Sequence, residues 1–201
     1  VDVRGTPVRH SIKVTILRDD SRALSPFLIL NHGRAGKLEQ RRTTRVGSYL
    51  ANAQYFVAKG FAVFLPIRVG YGETGGPDVE NSGSCDAKNY GPVYEAAVVQ
   101  SLKVIDYAKA QTFIDRTHGL VVGQSFGGTT AIALAAKNIP GVKAAVNFAA
   151  GGGGRPDTHP GQPCKPERMT ELFASYGQRA RIPSLWFYSE NDKYWGSALP
   201  R

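Results

Sequence analysis

A serine between two glycines is the residue of this chain that is best suited to covalent chemistry. It is Ser125, within residues 123–128, whose sequence is Gly-Gln-Ser-Phe-Gly-Gly. The apolar run at 119–122 is typical of a buried parallel strand, and the Ala-rich residues 129–137 are typical of a helix. Between a strand and a helix, Gly-x-Ser-x-Gly predicts a tight turn that presents a nucleophilic hydroxyl. The alternative is a Gly-rich helix N-terminus that binds phosphate or simply turns the chain.

The residues around the serine favour negative charge. Gly123 and Gly127 leave the space that so tight a turn needs, and Gly128 lets the helix start close to the strand. The first turn of the helix offers free N–H groups and the positive end of its dipole. Both activate the hydroxyl and stabilise an oxyanion beside it. The backbone N–H of Phe126, directly after the serine, is therefore a predicted donor to that oxyanion.

A second N–H donor is predicted after another strand. The unbroken apolar run at 27–31 predicts a central strand, and residues 32–36 (His-Gly-Arg-Ala-Gly) follow it. In open α/β sheets, ligands bind at the carboxyl ends of the strands, where this segment lies. The backbone N–H of Arg34 is the predicted donor. The alternative for this segment is an ordinary strand-to-helix turn.

A long Gly-, Asn- and Ser-rich loop at residues 68–91 is predicted to wall the site. Loops of this length within compact domains tend to be functional, and this one leaves the same edge of the sheet as the serine. Arg68 and Tyr71 are the predicted substrate contacts in it. The alternative is that either side chain only fixes the loop.

Strand and helix patterns alternate along the chain. Strands are predicted at 8–17, 27–31, 61–67, 119–122, 142–150 and 182–188, and helices around 50–57, 92–108, 129–137 and 167–176. Such alternation predicts an α/β fold with a mostly parallel sheet and helices on both faces. No linker or repeat divides the sequence, so residues 1–201 are predicted to form one domain.

The composition restricts the class of protein. Of the 201 residues, 42% are hydrophobic and 20% are charged, which is typical of a globular chain. No apolar run is long enough to predict a membrane span. The formal charge of +9 could steer an anionic substrate, although a solvated basic surface is the favoured interpretation. No nucleic-acid-binding pattern is present, so no nucleic-acid partner is predicted.

The two cysteines lie in loops that are predicted to leave the same edge of the sheet. Cys85 and Cys164 stand among Gly, Pro and Asn residues, outside the apolar runs. An even number of cysteines in such loops suggests a disulfide and an oxidising compartment, so the protein is predicted to be secreted or periplasmic. Two free thiols in a cytoplasmic protein are the alternative.

Four segments together resemble the α/β-hydrolase superfamily, especially its dienelactone hydrolase-like and prolyl oligopeptidase-like esterases. They are residues 32–33, 68–72 (Arg-Val-Gly-Tyr-Gly), 123–128 and 188–192 (Tyr-Ser-Glu-Asn-Asp). The resemblance implies a triad in the order Ser, Asp or Glu, His, with Ser125 as nucleophile and Asp192 as the acid that orients the histidine. Dienelactone hydrolases proper have a cysteine nucleophile, so the serine here favours an ordinary ester substrate. No metal or organic cofactor is implied.

The histidine of that triad is expected after Asp192, yet no histidine follows His159. Among the histidines present, His32 is predicted to hold its own loop through a backbone hydrogen bond, and His10 and His118 are predicted on an edge strand and at the opposite end of the sheet. His159 is predicted at the correct edge, although its position before Asp192 argues against a standard role. The resemblance therefore implies that the C-terminal portion of the fold is missing here. A cut chain, a second chain that carries the histidine and a loss of catalysis are the possible explanations, and the first two are favoured.

The resulting prediction is a serine hydrolase that cleaves small-molecule carboxylic esters through an acyl-enzyme on Ser125. A peptidase or an acyltransferase would share the same nucleophile turn, because the acyl-enzyme is common to all three. A binding module on a hydrolase scaffold is the alternative from another class. It predicts that Ser125 is unreactive even in the complete protein.

Overall fold

A computed structural model describes residues 7–196, which form one six-stranded sheet in the order β1-β3-β2-β4-β5-β6. The strands are β1 (Lys13–Leu17), β2 (Ser25–Asn31), β3 (Ala62–Ile67), β4 (Ile114–Gln124), β5 (Val142–Phe148) and β6 (Ser184–Phe187). β1 is antiparallel to β3, and all the other neighbours are parallel. The predicted mostly parallel sheet is confirmed.

Helices cover both faces of the sheet. They are α1 (Leu38–Arg42), α2 (Leu50–Ala58), α3 (Tyr90–Lys109), α4 (Phe126–Ala135) and α5 (Pro166–Arg179), with short 3-10 turns at Val46–Tyr49 and Gly72–Thr74. Alternate residues of β2 divide between two cores, because successive side chains of a strand point to opposite faces. Phe27 and Ile29 pack with α3, α4 and α5, whereas Leu28 and Leu30 pack with Ala53 of α2. The sequence prediction of an α/β fold with two covered faces is confirmed.

Two strands differ most from the prediction at their amino-terminal ends, each by five residues. β1 begins at Lys13 and not at Val8, because Lys13 lies opposite Ile67, the last residue of its partner β3. Val8 packs instead against a smaller cluster beside the sheet. β4 begins at Ile114, before the predicted start at Gly119, and its pairing with β2 shifts register at that point. The exposed polar residues in between gave no strand signal.

The parallel strands bring five loops to one edge of the sheet. β2, β3, β4, β5 and β6 all end there, and the segments that follow them carry every residue of the predicted site. Among residues 7–196, no helix is long and apolar enough to cross a membrane.

Candidate active site

The turn between β4 and α4 holds Ser125 in a strained backbone conformation. Its φ of 54° and ψ of −121° lie in a region that side-chain-bearing residues rarely adopt. A Cβ atom at position 123 would lie 2.0 Å from the carbonyl oxygen of Gly127, and one at position 127 would lie 2.2 Å from that of Asn31. The turn therefore requires glycine at both positions. Its geometry leaves Ser125 partly exposed at the end of the sheet, although the surrounding helix is buried.

Two backbone N–H groups beside the serine have no acceptor within the described chain. The N–H of Ser125 donates to Phe148 O at 2.8 Å, which fixes the turn to the end of β5. Within residues 7–196, however, the N–H groups of Phe126 and Arg34 donate to no acceptor, and both residues line one cavity with Ser125. Unpaired N–H groups at such a position are the donors that an oxyanion hole requires.

A tyrosine and a glutamine that sequence reasoning missed hold the loop after β2 against the turn at Ser125. The N–H of Gly33 donates to the Tyr49 hydroxyl at 2.9 Å, and that hydroxyl donates to Gln124 Oε1 at 3.1 Å. A Cβ atom at position 33 would lie 2.7 Å from the same Oε1 atom, so a side chain there would displace the Gln124 amide. Tyr49 and Gln124 are 75 residues apart, and no local pattern links them.

A cavity of about 720 Å³ opens over Ser125. Loops that follow β2, β3, β5 and β6 contribute its walls, and aromatic side chains line part of it. The aromatic residues are Tyr90, Tyr94, Phe126, Tyr194 and Trp195. The Tyr94 hydroxyl donates to Gly151 O at 2.9 Å, which ties α3 to the glycine-rich segment after β5. Burial raises the pKa of Tyr90 to about 12, so its hydroxyl stays protonated at neutral pH.

Asp192 lines the same cavity from the loop after β6. Its Oδ1 atom accepts the backbone N–H groups of Tyr194 at 2.7 Å and Trp195 at 2.9 Å. The indole Nε1–H of Trp195 donates in turn to Ala150 O at 3.1 Å. The carboxylate is thus oriented by its own loop, and Oδ2 makes no hydrogen bond within the described residues. The structure brings Ser125, Phe126, Arg34 and Asp192 together at one cavity.

The prediction that Arg68 and Tyr71 contact the substrate is wrong. Their exposed fractions are 0% and 1%, and neither side chain lines the cavity over Ser125. Arg68 donates through Nε to Glu80 Oε1 at 2.5 Å, and the Tyr71 hydroxyl donates to Glu80 Oε2 at 2.7 Å. Glu80 is itself completely buried. Because the loop folds back on this carboxylate, both side chains point into the protein and fix the loop.

Arg68 also supports the loop after β2. Its Nη1 atom donates to His32 O at 2.8 Å and its Nη2 atom donates to Gly33 O at 3.3 Å. Burial alone would lower the pKa of Arg68, but the charge and hydrogen bonds of Glu80 raise it above its ordinary value. The Arg68 guanidinium therefore stays charged and holds the segment that precedes the Arg34 N–H.

None of the four histidines lines the cavity over Ser125. His159, the candidate at the correct edge, is exposed and borders a different cavity beside the disulfide. His118 is exposed and pairs with Asp115 Oδ2 at 2.8 Å, and His10 lies beside Gly76. His32 is buried below the loop after β2. No histidine among residues 7–196 is therefore placed to act as the catalytic base that the resemblance implies.

His32 is held as a neutral imidazole. Its Nε2 atom accepts the N–H of Arg68 at 3.1 Å, so Nδ1 carries the proton and donates to Gly33 O at 2.7 Å. Burial and the nearby charge of Arg68 lower the pKa of His32 well below 6.5. The ring is consequently a structural bridge between the loops after β2 and β3.

This neutral histidine predicts an acid-dependent loss of stability. Below pH 6.5 the unfolded chain binds a proton at His32 that the folded chain does not bind, so the free energy of unfolding falls as the pH is lowered. One such proton corresponds to about 1.4 kcal/mol per pH unit. Urea unfolding at several pH values between 7.5 and 5 should show this additional slope in the wild-type protein relative to His32→Gln. Equal slopes for the two proteins would contradict the assignment.

A disulfide joins two walls of the site. Cys85 and Cys164 are bonded, with Cα atoms 5.0 Å apart and a sequence separation of 79. Tyr90, which begins α3 directly after the loop of Cys85, contributes a hydroxyl that donates to Cys164 O. The loop before α3 and the loop after β5 are thus fastened to each other beside the cavity.

Comparison with known proteins identifies the family. A family model for the alpha/beta hydrolase fold matches residues 26–168, which is most of the chain. This protein therefore belongs to the α/β-hydrolase family. A comparison with curated protein sequences found no match. The narrower resemblance to dienelactone hydrolase-like and prolyl oligopeptidase-like esterases stays a prediction.

Solved structures show the same fold at low sequence identity. Est1E from Butyrivibrio proteoclasticus with bound ferulic acid matches with a TM-score of 0.64 and 18% identity, over 96% of this chain and 79% of that one. Acetyl xylan esterase 1 from Thermoanaerobacterium sp. JW/SL YS485 matches with a TM-score of 0.61 and 17% identity, over 93% and 66%. For the acetyl xylan esterase from Paenibacillus sp. R4 the TM-score is 0.57 and the identity 16%, over 88% and 64%.

Proposed function

We propose that this protein hydrolyses carboxylic esters of small molecules through an acyl-enzyme on Ser125. The observation that carries the proposal is the strained turn at Ser125, which borders the same cavity as two unpaired backbone N–H groups. The family supports it, and so do the structural neighbours: two of them are named acetyl xylan esterases and a third holds ferulic acid. A strained, non-helical serine is also costly to maintain, and such strain is concentrated at functional sites.

The proposed reaction begins with attack of Ser125 Oγ on the carbonyl carbon of the ester, while a general base takes the hydroxyl proton. The carbonyl oxygen becomes an oxyanion, which accepts hydrogen bonds from the backbone N–H groups of Arg34 and Phe126. Loss of one such donor typically costs about 3 kcal/mol of transition-state stabilisation. The tetrahedral intermediate expels the alcohol, which takes a proton from the base, and water then releases the acid from the serine.

The proposed role of Asp192 is to orient an imidazole and to stabilise its protonated form. Its position on the cavity and the unpaired Oδ2 atom support this role. The imidazole would come from a segment outside residues 7–196, either on the same polypeptide or on a second chain or cleaved C-terminal fragment. Histidine and aspartate need not be adjacent in sequence, because a triad is defined by its geometry.

The surface around β6 supports such a segment. β6 pairs only with β5 in the described part of the sheet, and the exposed fractions of Leu185 and Phe187 are 54% and 46%. The ring of Phe187 stacks on Phe148, itself 38% exposed, with 5.0 Å between the ring centroids. This apolar face continues directly into the loop of Asp192. A segment that covers it would lie beside the carboxylate it must reach.

The disulfide favours an oxidising compartment, since such bonds form and persist outside the reducing cytosol. We accordingly propose a secreted or periplasmic protein.

Intact mass measured before and after treatment with a fluorophosphonate tests the proposed function. The untreated mass shows which polypeptide carries the described residues and whether a second fragment accompanies it. We expect one adduct, mapped to Ser125, and none in the Ser125→Ala variant. Ser189→Ala, which changes an exposed serine outside the cavity, is the matched control and should label like the wild type. If the complete protein, including the segment that carries the histidine, gives no adduct, the turn at Ser125 has only a structural role. A binding module is then the better interpretation.

A further inference from the structure

The cavity over Ser125 is electrically asymmetric. The loops after β2 and β3 line it with Arg34, Lys37 and Lys88, whereas the loops after β5 and β6 line it with Asp157 and Asp192. In the sheet, β2 and β3 lie on one side of the nucleophile strand β4, and β5 and β6 lie on the other. Arg34 and Lys37 therefore line the cavity from the side of β2, whereas Lys88 lies beside the segment after β5, whose Arg168 donates to Lys88 O.

Arg34 belongs to a fixed cluster with an excess of positive charge. Its Nη1 and Nη2 atoms donate to the two carboxylate oxygens of Asp78 at 2.8 and 2.9 Å. Asp78 is shared with Arg41 at 3.3 Å, and Glu80 is shared between Arg68 and Arg34. Three guanidinium groups thus face two carboxylates. Because the bidentate pair holds the Arg34 side chain, its charge stays at the cavity wall.

Lys88 adds a half-buried cation that has no acidic partner among residues 7–196. Its Nζ atom donates to Gly83 O at 2.7 Å and to Ser82 Oγ at 3.2 Å, both of which are neutral. Burial and the charges of Arg34 and Arg155 lower the pKa of Lys88. An anion beside Lys88 would stabilise its charge, and the cavity that Lys88 lines has room for such an anion.

We propose that Lys88, together with Arg34, binds a carboxylate group of the ester substrate. The preferred substrates are then esters that carry a second, ionised carboxyl group, placed toward the loop before α3. This inference rests on the proposed function, since it names the class of ester that Ser125 attacks. A carboxylate suits the site because the Lys88 ammonium has a further donor beyond the two that its neutral partners accept.

Binding of adipate to the full chain tests the subsite without any catalytic step. Calorimetry should show that Lys88→Met weakens adipate binding about 10-fold, as expected for loss of one partly desolvated charge. Lys103→Met is the matched control, since Lys103 lies on the exposed face of α3 with 77% of its side chain accessible. It removes the same charge and should leave adipate binding unchanged. Equal affinities for wild type and Lys88→Met would overturn the proposal.

Kinetics with paired esters test the consequence for specificity. Monomethyl adipate carries the carboxylate in the acyl part and 6-acetoxyhexanoate carries it in the alcohol part; methyl hexanoate and hexyl acetate are their neutral analogues. At least one anionic ester should exceed its neutral analogue about 10-fold in kcat/KM, and Lys88→Met should remove that preference while Lys103→Met retains it. If neutral esters are cleaved but Lys88→Met changes neither ratio, the subsite is refuted. If no ester is cleaved by the complete protein, the proposed function fails and adipate binding alone decides the subsite.

Discussion

Replacement of Ser125 by alanine should lower kcat/KM for a neutral ester by at least about 10⁴-fold in the complete protein. The serine supplies the atom that bonds to the carbonyl carbon, and no other hydroxyl of the cavity stands at a strained turn beside two unpaired N–H groups. Ser125→Ala removes only the Oγ atom, and that atom donates no hydrogen bond to the rest of the described chain. The fold should therefore survive, and unfolding by urea should show wild-type stability.

The double variant Ser125→Ala/Asp192→Asn tests whether Ser125 and Asp192 act in one catalytic mechanism or contribute independently to kcat/KM. Residues that act in one mechanism are strongly non-additive, so the double variant should be no slower than Ser125→Ala alone. Asparagine keeps an Oδ1 acceptor for the N–H groups of Tyr194 and Trp195, which preserves the loop after β6. Release of methanol from methyl hexanoate measures the rates of the wild type, Ser125→Ala and the double variant. Residual activity within about 10-fold of wild type in Ser125→Ala would exclude the acyl-enzyme.

The nucleophile turn is predictable from sequence because its constraints are local. Gly123 and Gly127 are required by contacts within the turn itself and with the adjoining strand, and the flanking strand and helix patterns are strong. The parallel direction of most strands follows from the same alternation, since parallel neighbours need a helical crossover. The position of Asp192 follows from its place directly after β6. For these parts of the molecule, each prediction depends on the residues next to the site in sequence and on the regular geometry of a parallel sheet.

The long loop at 68–91 could not be interpreted in the same way. A charged residue in a Gly-rich loop is expected to be exposed, because arginine and glutamate are seldom buried unless they are paired. Here Glu80 is the partner of Arg68, and its burial depends on how the loop folds back across the sheet edge. The contact between Tyr49 and Gln124 likewise joins two elements that only the tertiary fold brings together. No residue spacing in the sequence encodes either contact.

Arg68→Met should lower the free energy of unfolding by about 3–5 kcal/mol. Arg68 and Glu80 are both 0% exposed, so loss of the guanidinium leaves a carboxylate that is buried and unpaired. Guanidinium chloride unfolding of the two proteins measures the difference. Lys103→Met is the control for an exposed ion pair, and we expect it to change stability by less than about 0.5 kcal/mol. A loss below about 1 kcal/mol in Arg68→Met would contradict the role of the pair.

The double variant Arg68→Met/Glu80→Leu distinguishes the effect of an unpaired buried charge on stability from the effect of the Arg68 hydrogen bonds on the geometry of the site. Replacing both partners with apolar residues removes the unpaired charge, so most of the lost stability should return. The carbonyl groups of His32 and Gly33, however, would still lack the hydrogen bonds from the Arg68 guanidinium. Because these carbonyls precede the Arg34 N–H, we expect the double variant to fold yet to remain about 10-fold or more below wild type in kcat/KM. Full recovery of both quantities would show that Arg68 supports the fold and does not position the loop after β2.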